Sequence, residues 1–332
     1  MFQWPPKIIF CFFTMTSADV VLTERIALAQ GDGDGKEALL ITLNRPSKKN
    51  CFDERVCSEL ATIFHDVADE IERYDADVRS TDNVDDDDDE NNEIIRHHHR
   101  GLRNRLVAVI FTGSGESFCA GADLSNPPNP LHQSSDLSHH LRWNPVHQMG
   151  RVGVPIIGAL RGHVITGGFE LALACDILVG DVTTSFRDTH VKFGLAPCWG
   201  LSQRLSRRIG PGRARLVSLT AHTVNAHVAH EWGLLDELID DSASREGACS
   251  DPVLDRAIEL ANAIAANDPL MVRRYKRAIV EGTNVDHIRG LQRERELGLA
   301  HYMEIVGDGQ TFEGAKGYIT DENRPRVSES KL

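Results

Sequence analysis

Four short, uninterrupted apolar runs recur along the chain, each closed by a turn signal. They are Ala38-Leu39-Leu40-Ile41-Thr42-Leu43, Leu106-Val107-Ala108-Val109-Ile110-Phe111, Pro155-Ile156-Ile157-Gly158-Ala159-Leu160 and Asp176-Ile177-Leu178-Val179-Gly180. Runs of this length without polar alternation suit strands covered on both faces, and such strands pair mostly in parallel. Helix signals lie between them. Val56, Leu60, Ile63, Phe64, Val67 and Ile71 recur at spacings of three and four, which predicts a helix over 53–74. Further helices are expected near 141–151 and from Phe169 to Cys175. After Gly210 the chain reads as predominantly helical, with Asp268-Pro269 opening a helix rich in arginine and lysine. The strand–turn–helix rhythm predicts an α/β core with a largely parallel sheet.

The remainder reads as appendages. Residues 75–105 hold an acidic run, Asp85 to Glu90, and then His97-His98-His99 among arginines, the composition of a solvated, disordered insertion. Adjacent histidines on such a segment lack the fixed geometry a metal needs, so no metal is expected. The net charge of -13 argues against a nucleic-acid partner. The cysteines are odd in number (7) and include no Cys-x-x-Cys pair, which indicates reduced packing residues rather than a disulfide framework. Ile8 to Phe13 is apolar but far too short to span a bilayer, so no membrane association is expected. Residues 1–14 read as an extension ahead of a start at Met15. The final tripeptide, Ser330-Lys331-Leu332, is the signal read by the peroxisomal import receptor, which points to a peroxisome or related organelle.

Chemistry concentrates in two glycine-bearing turns. In Thr166-Gly167-Gly168-Phe169-Glu170, glycines open a helix and leave unpaired N–H groups that can hold developing negative charge, with Glu170 beside them. Taken alone, tight packing and an acid complementing the helix dipole explain this turn better. The second turn, Ala120-Gly121-Ala122-Asp123, follows a buried strand, and its glycine frees the backbone to approach a ligand. The pair suggests a site that stabilises an oxyanion.

Together with their flanks these segments resemble the crotonase family of enoyl-CoA hydratases and isomerases. The resemblance rests on Leu43-Asn44-Arg45-Pro46, Phe111-Thr112-Gly113, Phe118-Cys119-Ala120-Gly121-Ala122-Asp123-Leu124, Gly167-Gly168-Phe169-Glu170-Leu171-Ala172-Leu173-Ala174-Cys175-Asp176 and Gly200-Leu201-Ser202-Gln203-Arg204-Leu205, in that order. It covers roughly Val20 to Val327, apart from the insertion. It implies a ββα spiral catalytic core over 20–210 and a helical trimerisation region over 211–327, which leaves an extension at 1–19 and, from the terminal tripeptide, a targeting tail at 328–332. It also implies coenzyme A thioester substrates, no permanently bound cofactor, and a homotrimer or dimer of trimers. By position, the oxyanion hole would use the N–H groups of Ala122 and Gly167, and Ala120, Asp123, Leu124 and Ser125 would lie along the coenzyme A pocket.

Hydratases of this family usually employ two glutamates. Glu170 matches the first, a base that would activate water for addition at C3. At the second position this chain has His190, within Phe186-Arg187-Asp188-Thr189-His190. Histidine can act as an acid or base near neutral pH, with Asp188 close by; equally, His190 can simply shape the pocket and orient Asp188. The resemblance therefore implies 2-enoyl-CoA hydration in fatty-acid β-oxidation first. Δ3,Δ2-enoyl-CoA isomerisation ranks below it, because its base often sits at the second-glutamate position. A catalytically weak acyl-CoA binder ranks last, since Glu170 accompanies an intact oxyanion segment. The basic helix at Arg273-Arg274-Tyr275-Lys276-Arg277 reads as a solvated face or subunit contact rather than a phosphate site.

Overall fold

The computed structural model describes residues 19–28, 35–81, 105–128, 141–240 and 251–307. The triple histidine, the acidic run and the terminal tripeptide lie outside them. Contacts divide the chain into two units, Met1–Val272 and Arg273–Leu332.

The first unit is built on a six-stranded sheet. The apolar runs form β2 (Glu37–Leu43), β3 (Leu106–Gly113), β4 (Ile156–Leu160) and β6 (Ile177–Asp181), which are sequential parallel neighbours. Strand β1 (Val21–Ala27) pairs antiparallel with β2 at one edge. The other edge is β9 (Glu237–Ile239), parallel to β6. A second sheet joins β5 (His163–Ile165), β7 (Ser185–Arg187) and β8 (Thr223–Asn225). Strands β8 and β9 interrupt the region read as predominantly helical; at three residues each, they are too short to show a period.

Alternate residues of the large sheet enter two cores. Ile41, Leu43, Val109 and Phe111 face one core with Val56, Leu60, Phe64 and Val67 of α1 (Glu54–Thr81). Leu40, Ala108, Ile110, Ile157 and Val179 face the other with Val253, Ala257 and Ala261 of α7 (Pro252–Ala265). Every residue of β3 is buried, as its unbroken apolar sequence requires. Helix α1 runs beyond the expected 53–74 to Thr81, with neither proline nor glycine to stop it sooner. The helix expected near 141–151 is shorter: α2 (Pro145–Met149) starts at an Asn144 cap that accepts from the His147 N–H.

The remaining helices of this unit are α3 (Gly167–Leu173), α4 (Leu201–Ile209), α5 (Pro211–Thr220) and α6 (Ala226–Glu231). Helix α8 (Pro269–Thr283) straddles the boundary between the units, and α9 (His287–Gly307) belongs to the second. In that second unit Glu281 pairs with both Arg277 and Arg293, and Ile279, Ile288, Leu299 and Met303 are exposed. Among the described residues no helix is long and apolar enough to cross a membrane.

Candidate active site

The two glycine turns meet through their backbones. The Cys119 N–H donates to the His163 carbonyl and the Ile165 N–H to the Cys119 carbonyl, so the segment after β3 lies alongside β5. Gly121 has φ +95, and a Cβ there would stand 2.9 Å from the Ile165 carbonyl oxygen. A Cβ on Gly168 would stand 2.3 Å from the Cys119 carbonyl oxygen. Only glycine permits this approach. Among the described residues, the N–H groups of Ala122 and Gly167 meet no protein acceptor.

Phe52, which carried no sequence motif, links both turns. Its N–H donates to the Gly121 carbonyl (2.9 Å) and its carbonyl accepts from the Asp123 N–H (2.8 Å). Its ring packs onto Gly167, where an added Cβ would sit 2.3 Å from Cζ. The ring also stacks on Trp199 at 5.1 Å between centroids. Asn50 braces the same loop: its buried side chain accepts from the Arg45 N–H (2.8 Å) and donates to the carbonyls of Ser114 (2.9 Å) and Ser117 (2.7 Å). It adopts φ 55, a conformation asparagine tolerates better than most residues.

Glu170 is buried in the first turn of α3. Its Oε1 accepts from the N–H groups of Trp199 (2.9 Å) and Leu201 (3.2 Å), so the carboxylate caps the N-terminus of α4. A carboxylate there complements the helix dipole. Its Oε2 faces His190 Nε2 at 3.9 Å. On the other side of the ring, His190 Nδ1 stands 2.7 Å from Asp188 Oδ1, which also accepts the His190 N–H at 3.0 Å. A carboxylate only accepts, so Nδ1 carries a proton and Nε2 is the nitrogen presented to Glu170. The structure thus brings Glu170, His190 and Asp188 into one buried line.

The electrostatics follow from that line. Burial raises the Glu170 carboxyl above its ordinary value; the charge of His190 and the two N–H donors only partly offset this. Burial pulls His190 down, but the Asp188 hydrogen bond and the charges of Glu170 and Asp188 outweigh it and leave the imidazole raised. Burial pushes Asp188 up, yet its hydrogen bonds to His190 and Ser218 hold it below the usual carboxylate range.

The residues expected along a ligand pocket divide by environment. Leu124 and Ser125 are exposed, and Ala120 is half-buried with its N–H on the Lys49 carbonyl. The Asp123 carboxylate is taken up by Lys48 (2.6 Å), Arg45 (3.0 Å) and Ser125. Those hydrogen bonds, from Lys48 first, hold it far below the usual range.

Thr166 is the backbone outlier. It precedes Gly167 with φ 51 and ψ -108, a conformation that costs a β-branched residue about 1–3 kcal/mol. It is also the N-cap of α3, yet its hydroxyl makes no capping bond to that helix. It hydrogen-bonds instead to the Thr189 hydroxyl and accepts the Thr189 N–H (3.2 Å), while its own N–H donates to the Arg187 carbonyl (2.9 Å).

The geometry offers two N–H groups without a protein acceptor among the described residues, on turns held side by side, a restrained carboxylate, and an imidazole oriented by a second carboxylate. The sequence bears comparison with known proteins on that basis. Residues 94–323 match the family model described as enoyl-CoA hydratase/isomerase. The chain is 36% identical to a probable enoyl-CoA hydratase 1, peroxisomal, of Arabidopsis thaliana, over 87% of this chain and 91% of that one. It is 27% identical to a short-chain-enoyl-CoA hydratase of Clostridium acetobutylicum, over 86% and 91% respectively. Among solved structures it is similar to an enoyl-CoA hydratase of Bacillus anthracis, with TM-score 0.65, 25% identity, and coverage of 91% of this chain and 96% of that one. An enoyl-CoA hydratase of Mycobacterium marinum is similar at TM-score 0.62 and 27% identity, covering 90% and 95%. The α/β core with a helical C-terminal region is therefore the crotonase fold, and the chain belongs to the enoyl-CoA hydratase/isomerase family.

Proposed function

We propose that this protein is an enoyl-CoA hydratase that adds water across the double bond of 2-enoyl-CoA thioesters to give 3-hydroxyacyl-CoA. One observation carries the reading: Glu170 is held by two backbone N–H groups through Oε1 while its Oε2 faces His190 Nε2 at 3.9 Å, on the helix whose first N–H belongs to Gly167. The thioester oxygen sits between the N–H groups of Ala122 and Gly167, and each such donor contributes roughly 3–4 kcal/mol toward the enolate. Water lies between Glu170 and His190. Glu170 removes its proton as the hydroxyl adds to C3, the electrons of the double bond pass to the thioester oxygen, and His190 Nε2–H protonates C2. Asp188 keeps the imidazole oriented and supports its charged form. The proton taken up by Glu170 then returns to His190, which closes the cycle.

Along the rest of the ligand, Ala120, Leu124 and Ser125 flank coenzyme A, and Asp123, tied to Arg45 and Lys48, fixes the turn that carries them. No bound cofactor enters these steps. The exposed apolar residues of α9 suit a homotrimer or a dimer of trimers. The name of the Arabidopsis relative and the terminal Ser330-Lys331-Leu332 support a peroxisomal location, with the import receptor as partner. Loss of punctate localisation when those three residues are removed from a fluorescent fusion would test this.

The decisive assay presents 2-enoyl and 3-enoyl thioesters of varied chain length to wild type and to Glu170→Gln. The 2-enoyl substrates should lose their conjugated absorbance with the wild type only, while coenzyme A binding survives in the variant. Conversion of 3-enoyl substrates without hydration would favour isomerisation. Failure to hydrate any 2-enoyl thioester would sink the proposal.

A further inference from the structure

We infer that Thr166 is a positioning residue for the reaction, through a hydroxyl pair with Thr189 that keeps the oxyanion N–H of Gly167 open and in register with His190. The inference rests on the hydratase reading above. Three observations converge on it.

Thr166 holds a left-handed φ of 51 that glycine would adopt more readily, so something other than local preference retains a β-branched residue there. Next, a threonine at an N-cap ordinarily turns its oxygen onto the N–H groups of its own helix. In α3 that bond is absent, and the hydroxyl engages Thr189 instead. An oxygen turned inward would bond the N–H groups of Gly168 or Phe169 and crowd the helix end at which the substrate oxygen meets Gly167. Finally, Thr189 immediately precedes His190, and Thr166 grips this segment at three points: the two hydroxyls, the Thr189 N–H and the Arg187 carbonyl. One residue thus ties the turn that receives enolate charge to the turn that delivers the proton. Because both hydrogen bonds of the hydroxyl go to Thr189, its effect passes through Gly167 and His190.

The test compares Thr166→Ser, Thr166→Gly and Thr189→Val in the full chain. It measures kcat and KM for a 2-enoyl-CoA, the melting temperature, and the fraction of bound acetoacetyl-CoA held as its enolate, read by ultraviolet absorbance. Thr166→Gly should lower kcat about 10- to 100-fold, the scale of a small misplacement of catalytic groups, with KM nearly unchanged. Its enolate fraction should fall while its melting temperature holds or rises, because glycine accepts the backbone without strain. Thr166→Ser should restore kcat. Thr189→Val should reproduce the kcat loss with Thr166 still present. Wild-type kcat and enolate fraction in Thr166→Gly would overturn the inference. So would a loss confined to KM, or one that tracks a lowered melting temperature. If the wild type hydrates no enoyl thioester, the functional reading fails first; if it does and Glu170→Gln is inactive, a normal Thr166→Gly removes only this inference.

Discussion

Replacing Gly167 by alanine should damage turnover far more than stability, and the structure says why. The new Cβ would stand 2.3 Å from Phe52 Cζ and 2.8 Å from Cε1. Carbon atoms pack at about 3.5–4.0 Å, so the ring must withdraw by more than about 1 Å. It cannot do so freely, since Phe52 is buried and stacked on Trp199 at 5.1 Å. Overpacking of this kind typically costs about 1–3 kcal/mol of stability. The catalytic loss is larger because the strain falls on the Gly167 N–H and, through Trp199, on the N–H that holds Glu170. Misplacing one oxyanion donor lowers kcat about 10²–10³-fold. Phe52→Leu removes the atoms in the way, so Gly167→Ala/Phe52→Leu should be less impaired than the sum of its single changes, by about 0.5–3 kcal/mol of coupling. Denaturant unfolding and the hydration assay, run on both single variants and the double, measure this. Wild-type behaviour of Gly167→Ala, or strictly additive losses, would refute the steric chain from Gly167 through Phe52 to Glu170.

Other expectations follow from the same geometry. His190→Gln keeps a polar group but removes the proton donor, and kcat should fall about 10²–10⁴-fold; a rate within threefold of wild type would leave His190 as a pocket wall only. His190 is raised in the folded protein, so activity needing its protonated form is lost as pH rises through that raised value. Asp188→Asn should move this alkaline limb of kcat/KM to lower pH, and an unmoved limb would exclude Asp188 as its support. The stability that His190 contributes is present below its ordinary value and lost as pH rises through the folded one, so the stability gap between wild type and Asp188→Asn should narrow in alkali. Asn50→Ala should cost about 2–4 kcal/mol in denaturant titrations, because it strips partners from the Arg45 N–H and from two carbonyls.

The four central strands of the large sheet, β2, β3, β4 and β6, are legible because each is long enough to bury a continuous apolar run. Strands β5, β7, β8 and β9, each three residues long, carry no such signal and are fixed by partners distant in sequence. The glycine turns were legible for a related reason: close backbone approach demands glycine, and glycine is visible in a sequence. The donors to Glu170 were not, because a main-chain N–H leaves no mark on residue type. Phe52 carries no mark in the sequence, since its role comes from lying beside Gly121 and Gly167, far away along the chain. Asp188 and His190 could be named from sequence but not ordered; the 2.7 Å contact at Nδ1 supplies the order.

That main-chain grip on Glu170 separates two properties that enzymes often find hard to change independently. The N–H groups of residues 199 and 201 hold the carboxylate whatever side chains those residues carry. The side chain at 199 therefore reaches the carboxylate only by displacing the main chain, as a shifted Phe52–Trp199 stack would. What lies beside the base can change in chemistry without changing what holds it, provided the backbone stays in place.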